Sequence, residues 1–452
     1  MNRMEEFEAL QRELREVPPS DCVQKAIRRR RKRSLGRTFG TVAAVFCLFV
    51  GSINLSPTVS AACREIPFIG ELTELLTFNP SLQLAADHDF VQLIEQEQTK
   101  GGITARIEDL IVDQKQLNIY YRLSSQQYKN LSSTPQVENT DGTDLKCSVS
   151  YGGLYEENDT LRDMTVDSHD ADLPAELLLT LRVYDNGSMD TEGPAVDLAV
   201  PSEEPKYEEP EILEEFEFLL QFDPQFTAQG REVTLNREVQ IAGQTFTVTD
   251  MEIYPTHIRI NVDEAADNTA WLQSLHFHLE TEDGRRVETI SNGISASGSE
   301  TTPSMTSYRA ESTFFYDADA IRLVIEGADL LDKAREEVHI NLKTLEADPL
   351  PAFIRLEDAA RIANGWELHV RIKDDEFRHV QAFRSRYRDA EGVEYDISRH
   401  DTFVSSDDPE GRWKGWGKET YYLDGFPADE VWLGLYYTDF WKPSQPLVVE
   451  LQ

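Results

Sequence analysis

Hydrophobic and polar positions follow two different rhythms along this chain. Residues 38–63 carry no charged side chain, and within 39–55 the large apolar positions are Phe39, Val42, Val45, Phe46, Leu48, Phe49, Val50, Ile53 and Leu55. With the mildly polar 56–62, the stretch reaches the roughly 20 residues that a bilayer core requires. It predicts a transmembrane helix over 38–62. Upstream, Met4, Phe7, Leu10 and Leu14 recur at helical spacing among Glu and Arg, and Pro18-Pro19 follows. That pattern predicts a short amphipathic helix, which either lies on a surface or docks a cytoplasmic partner.

Beyond residue 100 the period changes to two, and it repeats. Asp109 is followed at offsets of 8, 10 and 12 by Leu117, Ile119 and Tyr121; Asp250 by Ile258, Ile260 and Val262; Asp358 by Trp366, Leu368 and Val370. An aliphatic residue stands two positions before each aspartate (Ile107, Val248, Leu356), and turn formers such as Asp113, Pro255 and Asn364-Gly365 lie between. Each copy reads as strand, turn, strand with one face on a core. Further alternating strands follow at 177–183, 321–325 and 431–437, and closing strands at 196–200, 338–342 and 447–451. About 100 residues of short strands per copy is the pattern of a β-sandwich, here of immunoglobulin-like architecture. No βαβ alternation suggests a nucleotide-binding fold.

The predicted fold is therefore mainly β: tandem immunoglobulin-like sandwiches outside one N-terminal transmembrane helix. The segments are a basic cytoplasmic tail (1–37), the transmembrane helix (38–62), a helical lead-in plus first sandwich (63–200), an acidic linker (201–215), a second sandwich (216–345) and a Trp-rich third (346–452). In the lead-in, Phe90, Leu93 and Ile94 stand at helical spacing. The linker holds Pro201, Pro205, Pro210 and seven glutamates, a composition for a stiff spacer.

Charge sharpens the topology. The net charge is −38, yet residues 1–62 hold 11 basic and 6 acidic residues, while the remainder hold 33 and 76. Arg28, Arg29, Arg30, Arg31, Lys32, Arg33 and Arg37 abut the apolar stretch, which places the N-terminus in the cytoplasm and the large acidic part outside. The acidic part would repel nucleic acid, so none is expected as a partner. Beside an apolar segment, the basic run is better explained by membrane topology than by nucleic-acid binding, and it also argues against a buried core helix. A cleaved signal peptide stays open, because Val59-Ser-Ala61 has the small-x-small form of a cleavage site; lipidation at Cys63 is disfavoured by Ser60. Cys63 and Cys147 both fall outside and are candidates for a disulfide, whereas Cys22 stands alone in the tail.

Candidate chemistry is sparse. His276 and His278 share one strand face and could take a metal with a distant carboxylate, but an alternating polar strand face is by far the commoner explanation. Asp374-Asp375 and Asp407-Asp408 are candidate calcium ligands, against the background of an acidic surface. No nucleophile motif or phosphate loop is present, so no enzyme activity, catalytic residue, metal or cofactor is expected. Of the tryptophans, Trp366 and Trp432 alternate within strands as core residues. Trp413 and Trp416, in Gly411-Arg-Trp-Lys-Gly-Trp-Gly417, are candidate exposed aromatics for stacking on sugar or peptide, against the commoner reading of loop anchors tucked into a core.

Asn54-Leu-Ser-Pro57, Ser60-Ala-Ala62, Ile66-Pro-Phe-Ile-Gly70, Lys100-Gly-Gly-Ile103, Ile107-Glu-Asp-Leu110 and Ile119-Tyr-Tyr121 together resemble the DUF4179 family, over about residues 35–125. Gly101-Gly102 departs from it, since the family usually has one glycine there. The region from Asp250 to Pro255-Thr256 resembles the immunoglobulin-like DUF5643 domain. The resemblance implies a single-pass membrane protein of Gram-positive Firmicutes, an anti-sigma factor or sensor. The zinc-binding His-x3-Cys-x2-Cys arrangement of many anti-sigma factors is absent. The expected function is regulatory: the tail engages a cytoplasmic partner, such as a sigma factor, and the acidic exterior senses or binds. The alternative is a wall-binding or adhesive protein, holding cell-wall glycan or another surface protein, whose N-terminus only anchors it in the lipid bilayer.

Overall fold

The computed structural model describes residues 72, 75–77, 79–88, 90–152, 157–169, 171–185, 211–227, 230–291, 293–299, 301–316, 318, 320–373, 381–397, 399–403 and 415–451. The amphipathic tail, the basic run, the predicted transmembrane helix and Trp413 lie outside these residues. Among the described residues, no helix is long and apolar enough to cross a membrane. The described chain is mainly β, in six sheets.

Ahead of the strands comes α1 (Pro80–Asp87). Asn79 caps its N-terminus, accepting from the Leu82 N–H, and Pro80 occupies the first turn, where its missing N–H costs nothing. The first unit then contains β1 (Gln92–Lys100), β2 (Ile103–Val112), β3 (Gln116–Ser125), β4 (Leu131–Asn139), β5 (Cys147–Tyr151), β6 (Arg162–Ser168), β7 (Glu176–Asp185) and β8 (Ile212–Gln221). A short helix, α2 (Pro224–Thr227), whose Phe226 packs in the first core, leads to the second unit, which contains β9 (Arg231–Ile241), β10 (Gln244–Ile253), β11 (Ile258–Glu264), β12 (Ala270–Thr281), β13 (Arg286–Val287), β14 (Ala296–Gly298), β15 (Met305–Ala310) and β16 (Ile321–Asp332). The remaining strands are β17 (Glu337–Asn341), β18 (Ile354–Ile362), β19 (Gly365–Lys373), β20 (Phe383–Arg388), β21 (Glu394–Asp396), β22 (Arg399–Phe403), β23 (Trp416–Asp424), β24 (Glu430–Leu435), β25 (Asp439–Trp441) and β26 (Leu447–Glu450).

Each unit is two sheets on one core. In the first, β1-β2-β3-β6-β5 faces β4-β7-β8 across Ile107, Leu117, Ile119, Leu179, Leu181, Phe216 and Phe218. In the second, β14-β15-β11-β10-β9 faces the β12–β16 sheet across Phe246, Ile260, Leu272 and Leu323. In the third, β17-β24-β20-β21 faces β18-β19-β23-β22 across Trp366, Leu368, Phe383 and Leu433.

The three strand–turn–strand repeats are antiparallel hairpins, β2–β3, β10–β11 and β18–β19. All three carry a register shift at the same place: between Ile107 and Asp109, Val248 and Asp250, and Leu356 and Asp358. One extra residue there resets the alternation of faces. In β2, Ile107 and then Leu110 both reach the core, and in β10 Val248 and then Met251 do so. In the third hairpin the Asn364-Gly365 turn needs glycine. Gly365 has φ +149°, and a Cβ there would lie 2.0 Å from the Leu423 carbonyl oxygen.

Strand pairing crosses the sequence-based boundaries. β8, read as the opening of the second sandwich, pairs with β7 and completes the first. The predicted closing strands of the second and third copies are exchanged: β17 pairs with β24 in the third unit, while β25 and β26 pair with β16 in the second. A closing strand read from alternation alone fits any open edge, and the edge it takes is set by where the chain returns. The lead-in also differs: Leu93 and Ile94, read at helical spacing, lie on β1.

The edge of β8 is closed by side chains. The Gln92, Gln96 and Lys100 side chains donate to the backbone carbonyls of Gln221, Leu219 and Glu215 at 2.7, 2.9 and 2.7 Å, and Gln98 donates to that of Glu217. These four side chains of β1 thereby cover carbonyls that an unpaired edge would present to another chain.

Candidate functional site: a buried polar seam between the first two units

Two hairpin turns meet here. The β2–β3 turn brings Asp113, whose Oδ1 accepts from the backbone N–H groups of Lys115 (2.9 Å) and Gln116 (2.8 Å). Its Oδ2 reaches across to the β10–β11 turn, accepting from the Thr256 hydroxyl (2.6 Å) and N–H (3.2 Å). Beside them, β6 carries Asp167, His257 stands in the turn just before β11, β11 carries Arg259, and β15 carries Arg309. Asp113, Asp167, His257 and Arg309 are fully buried, and Arg259 is nearly so.

Arg309 donates twice to Asp167, Nε to Oδ2 at 3.0 Å and Nη2 to Oδ1 at 2.8 Å. Arg259 approaches the same carboxylate at 3.1 Å. Burial acts to raise Asp167, but the charge and hydrogen bonds of Arg309, then the charge of Arg259, hold it down at about 2. His257 is held neutral: burial lowers it most, and Arg259 lowers it further. Its Nε2 accepts from Arg259 Nε at 2.9 Å, so Nδ1 carries the proton and donates to Thr256 Oγ1 at 2.8 Å. The Thr256 hydroxyl in turn donates to Asp113, giving one directional chain from guanidinium to carboxyl. Burial raises Asp113, against the hydrogen bonds it accepts from Thr256, Lys115 and Gln116.

With both His257 nitrogens engaged and no solvent reaching it, the seam has no room for a substrate. What it can do is fix orientation. A bidentate guanidinium–carboxylate pair has one geometry, and breaking such a buried pair from one side costs about 3–5 kcal/mol. The lead-in segment is clipped to the same two units. Ser81 N donates to Glu311 at 2.8 Å, Ser312 N donates to Ser81 Oγ at 2.5 Å, and His88 stacks on Phe315 at 4.2 Å.

The residues singled out from sequence fare unevenly. Trp416 lies on β23, half-buried, with the Arg355 guanidinium 5.7 Å from its ring centre. Trp366 is buried and donates to the Ala428 carbonyl at 2.8 Å. Trp432, expected in the core, faces outward between His339, stacked at 4.4 Å, and Arg388 at 5.1 Å. It follows Val431 and precedes Leu433, which take the two inward positions. His276 contacts Asp329 at 2.9 Å, while His278 lies 3.5 Å from both Glu280 and Glu326. Among the described residues no group of three or more His, Cys, Asp or Glu is placed to hold a metal ion; the paired acids at 374–375 and 407–408 lie outside them. Cys147 is a half-buried free thiol on β5, and Cys63 lies outside the described residues.

Sequence reasoning missed the seam. Its one sequence signal is a buried type of partner at each turn: Asp113 in the first hairpin, and Thr256-His257 at the matching turn of the second.

Residues 30–125 match the model of a family described as a domain of unknown function (DUF4179), and residues 230–353 that of a family of unknown function (DUF5643). The Asp113–Thr256 contact joins the two matched regions. No curated protein matches the chain. Among solved structures, the crystal structure of the conserved domain protein from Bacillus anthracis is similar at 14% identity and TM-score 0.36, over 57% of this chain and 85% of that one.

Proposed function

We propose that this protein is a single-pass membrane regulator of a Gram-positive cell, with immunoglobulin-like sandwiches outside and a cytoplasmic tail that engages a partner such as a sigma factor. The observation that carries the reading is the seam. It ties the first two units together through buried hydrogen bonds and an ion pair, and the lead-in that continues from the predicted membrane helix packs on the first and is hydrogen-bonded to the second. A ligand or strain acting on those units is thereby coupled to the segment nearest the bilayer, the geometry a transmembrane sensor needs. Support also comes from the opposite charges on the two sides of the apolar stretch. The test is co-purification of the full chain, and of a chain lacking residues 1–37, with cytoplasmic proteins. A sigma factor or other specific protein held only by the full chain is expected; its absence overturns the reading.

A second reading is favoured by the third unit, where Trp416 and Trp432 lie half-exposed on strands, beside arginines. A wall-binding protein would use them on glycan. Retention on purified cell wall, lost in Trp413→Ala/Trp416→Ala, would select it.

A further inference from the structure

The outer face of the first five-stranded sheet carries a cross-strand row, Leu93, Asp109, Tyr120 and Asp163. Asp109 is fully buried, and neither of its carboxyl oxygens has a hydrogen-bond partner. The lead-in covers this face: Leu72, Leu76, Leu82 and Ala85 pack with Ile111, Tyr120 and Leu161. The other two hairpins show what is unusual. Each bulge aspartate sits opposite the residue eleven positions on. Asn261 donates to Asp250 at 2.5 Å, and His369 lies 2.6 Å from Asp358, with Asp358 largely exposed. At Asp109 the opposite residue is Tyr120, whose ring belongs to the apolar cluster under the lead-in. Of the three equivalent carboxyls, only the first is therefore fully buried and left without a partner, next to the Tyr120 and Ile111 side chains on which the lead-in packs; such a placement costs free energy in either protonation state and far more when charged.

We propose that the lead-in is a releasable strap over the first unit, docked while the Asp109 carboxyl is neutral and loosened when it ionises. The proposal names the movable element in the regulator inferred above, but it concerns the isolated chain and stands or falls without any partner. Burial raises Asp109 to about 8, Glu108 and Glu95 add to the rise, and Arg106 opposes it. The groups around it are Glu95 on β1, Arg106 and Glu108 on β2, Tyr120 and Arg122 on β3, Asp163 on β6, Asp87 and His88 on the strap, and Glu311 against Ser81. Burial also raises Asp87, Asp163 and Glu311, so they act in the same sense. A carboxyl raised in the docked state binds its proton more tightly there. Docking is thus strongest at low pH and weakens as pH rises from the ordinary carboxyl range towards about 8. Asp109 alone weakens it by up to about tenfold per pH unit in that window, and its share of the dependence levels off above it.

Hydrogen exchange of the full chain between pH 5 and 9, corrected for intrinsic rates, reads this directly in peptides covering residues 75–88. The opening equilibrium of the wild type is expected to rise with pH while residues 116–125 stay protected. Asp109→Asn flattens most of that rise, and Asp109→Leu, which needs no partner, keeps the strap docked throughout. A strap protection independent of pH in the wild type, or a rise unchanged in both variants, overturns the proposal. Capture of a cytoplasmic partner by the tail would be untouched by that failure.

Discussion

Arg309 and Asp167 meet in a bidentate pair across two units, with both side chains fully buried. Arg309→Met leaves Asp167 with Arg259 alone and is expected to destabilise the chain by about 3–5 kcal/mol. The double change Arg309→Met/Asp167→Leu removes both charges and should cost less than Arg309→Met alone. Denaturant unfolding of the wild type and the two variants checks both statements.

The same pair makes stability depend on acid. Asp167 is held at about 2, below its unfolded value, so its contribution is present above about pH 4 and is lost as pH falls towards 2. Comparing wild type with Asp167→Asn between pH 2 and 5, the slope of stability against pH should be steeper in the wild type, by an integrated difference of about 2 kcal/mol.

Leu451 packs in the core of the second unit, together with Ile321 and Leu323. Leu451→Ala is therefore expected to cost about 2–4 kcal/mol there. Hydrogen exchange should quicken in β12 and β16 before it does in β19 and β23. Equal loss in both would contradict the strand exchange.

Gln96 and Gln98 cover backbone carbonyls of β8. Their joint replacement by alanine should lower stability by only about 1–2 kcal/mol, since each net hydrogen bond is worth about 1 kcal/mol. It should also open an edge for pairing. Concentration-dependent self-association, measured by sedimentation, is the expected outcome; a variant that stays as monomeric as the wild type would count against the protective role.

How much of this was legible follows from what alternation can encode. The repeat was readable because Leu117, Ile119 and Tyr121, and their counterparts, keep one face on the core. The bulge beside each aspartate was not, although the three-residue step from Ile107 to Leu110 records it. The seam was hidden for a different reason. Arg259 and Arg309 occupy the outward positions of their strands, where arginine ordinarily meets water, and their burial depends on Asp167, distant in sequence. Similarly, nothing in 447–450 distinguishes a strand that joins β16 from one that closes its own sandwich. The candidate functional residues of the tail and the apolar stretch rest on charge and hydropathy, which the described residues leave untouched.

The exchange of strands orders events in time. Leu447 pairs with Ile325 and Val449 with Leu323, so the second unit lacks part of its sheet until residues 447–450 have been made. The third unit is inserted between two strands of its neighbour and must be produced in the interval. During synthesis from the N-terminus, the DUF5643 region would wait with β16 partly bare while the strands of the third unit are made, and the last strand would close the second unit after the third already has all of its own.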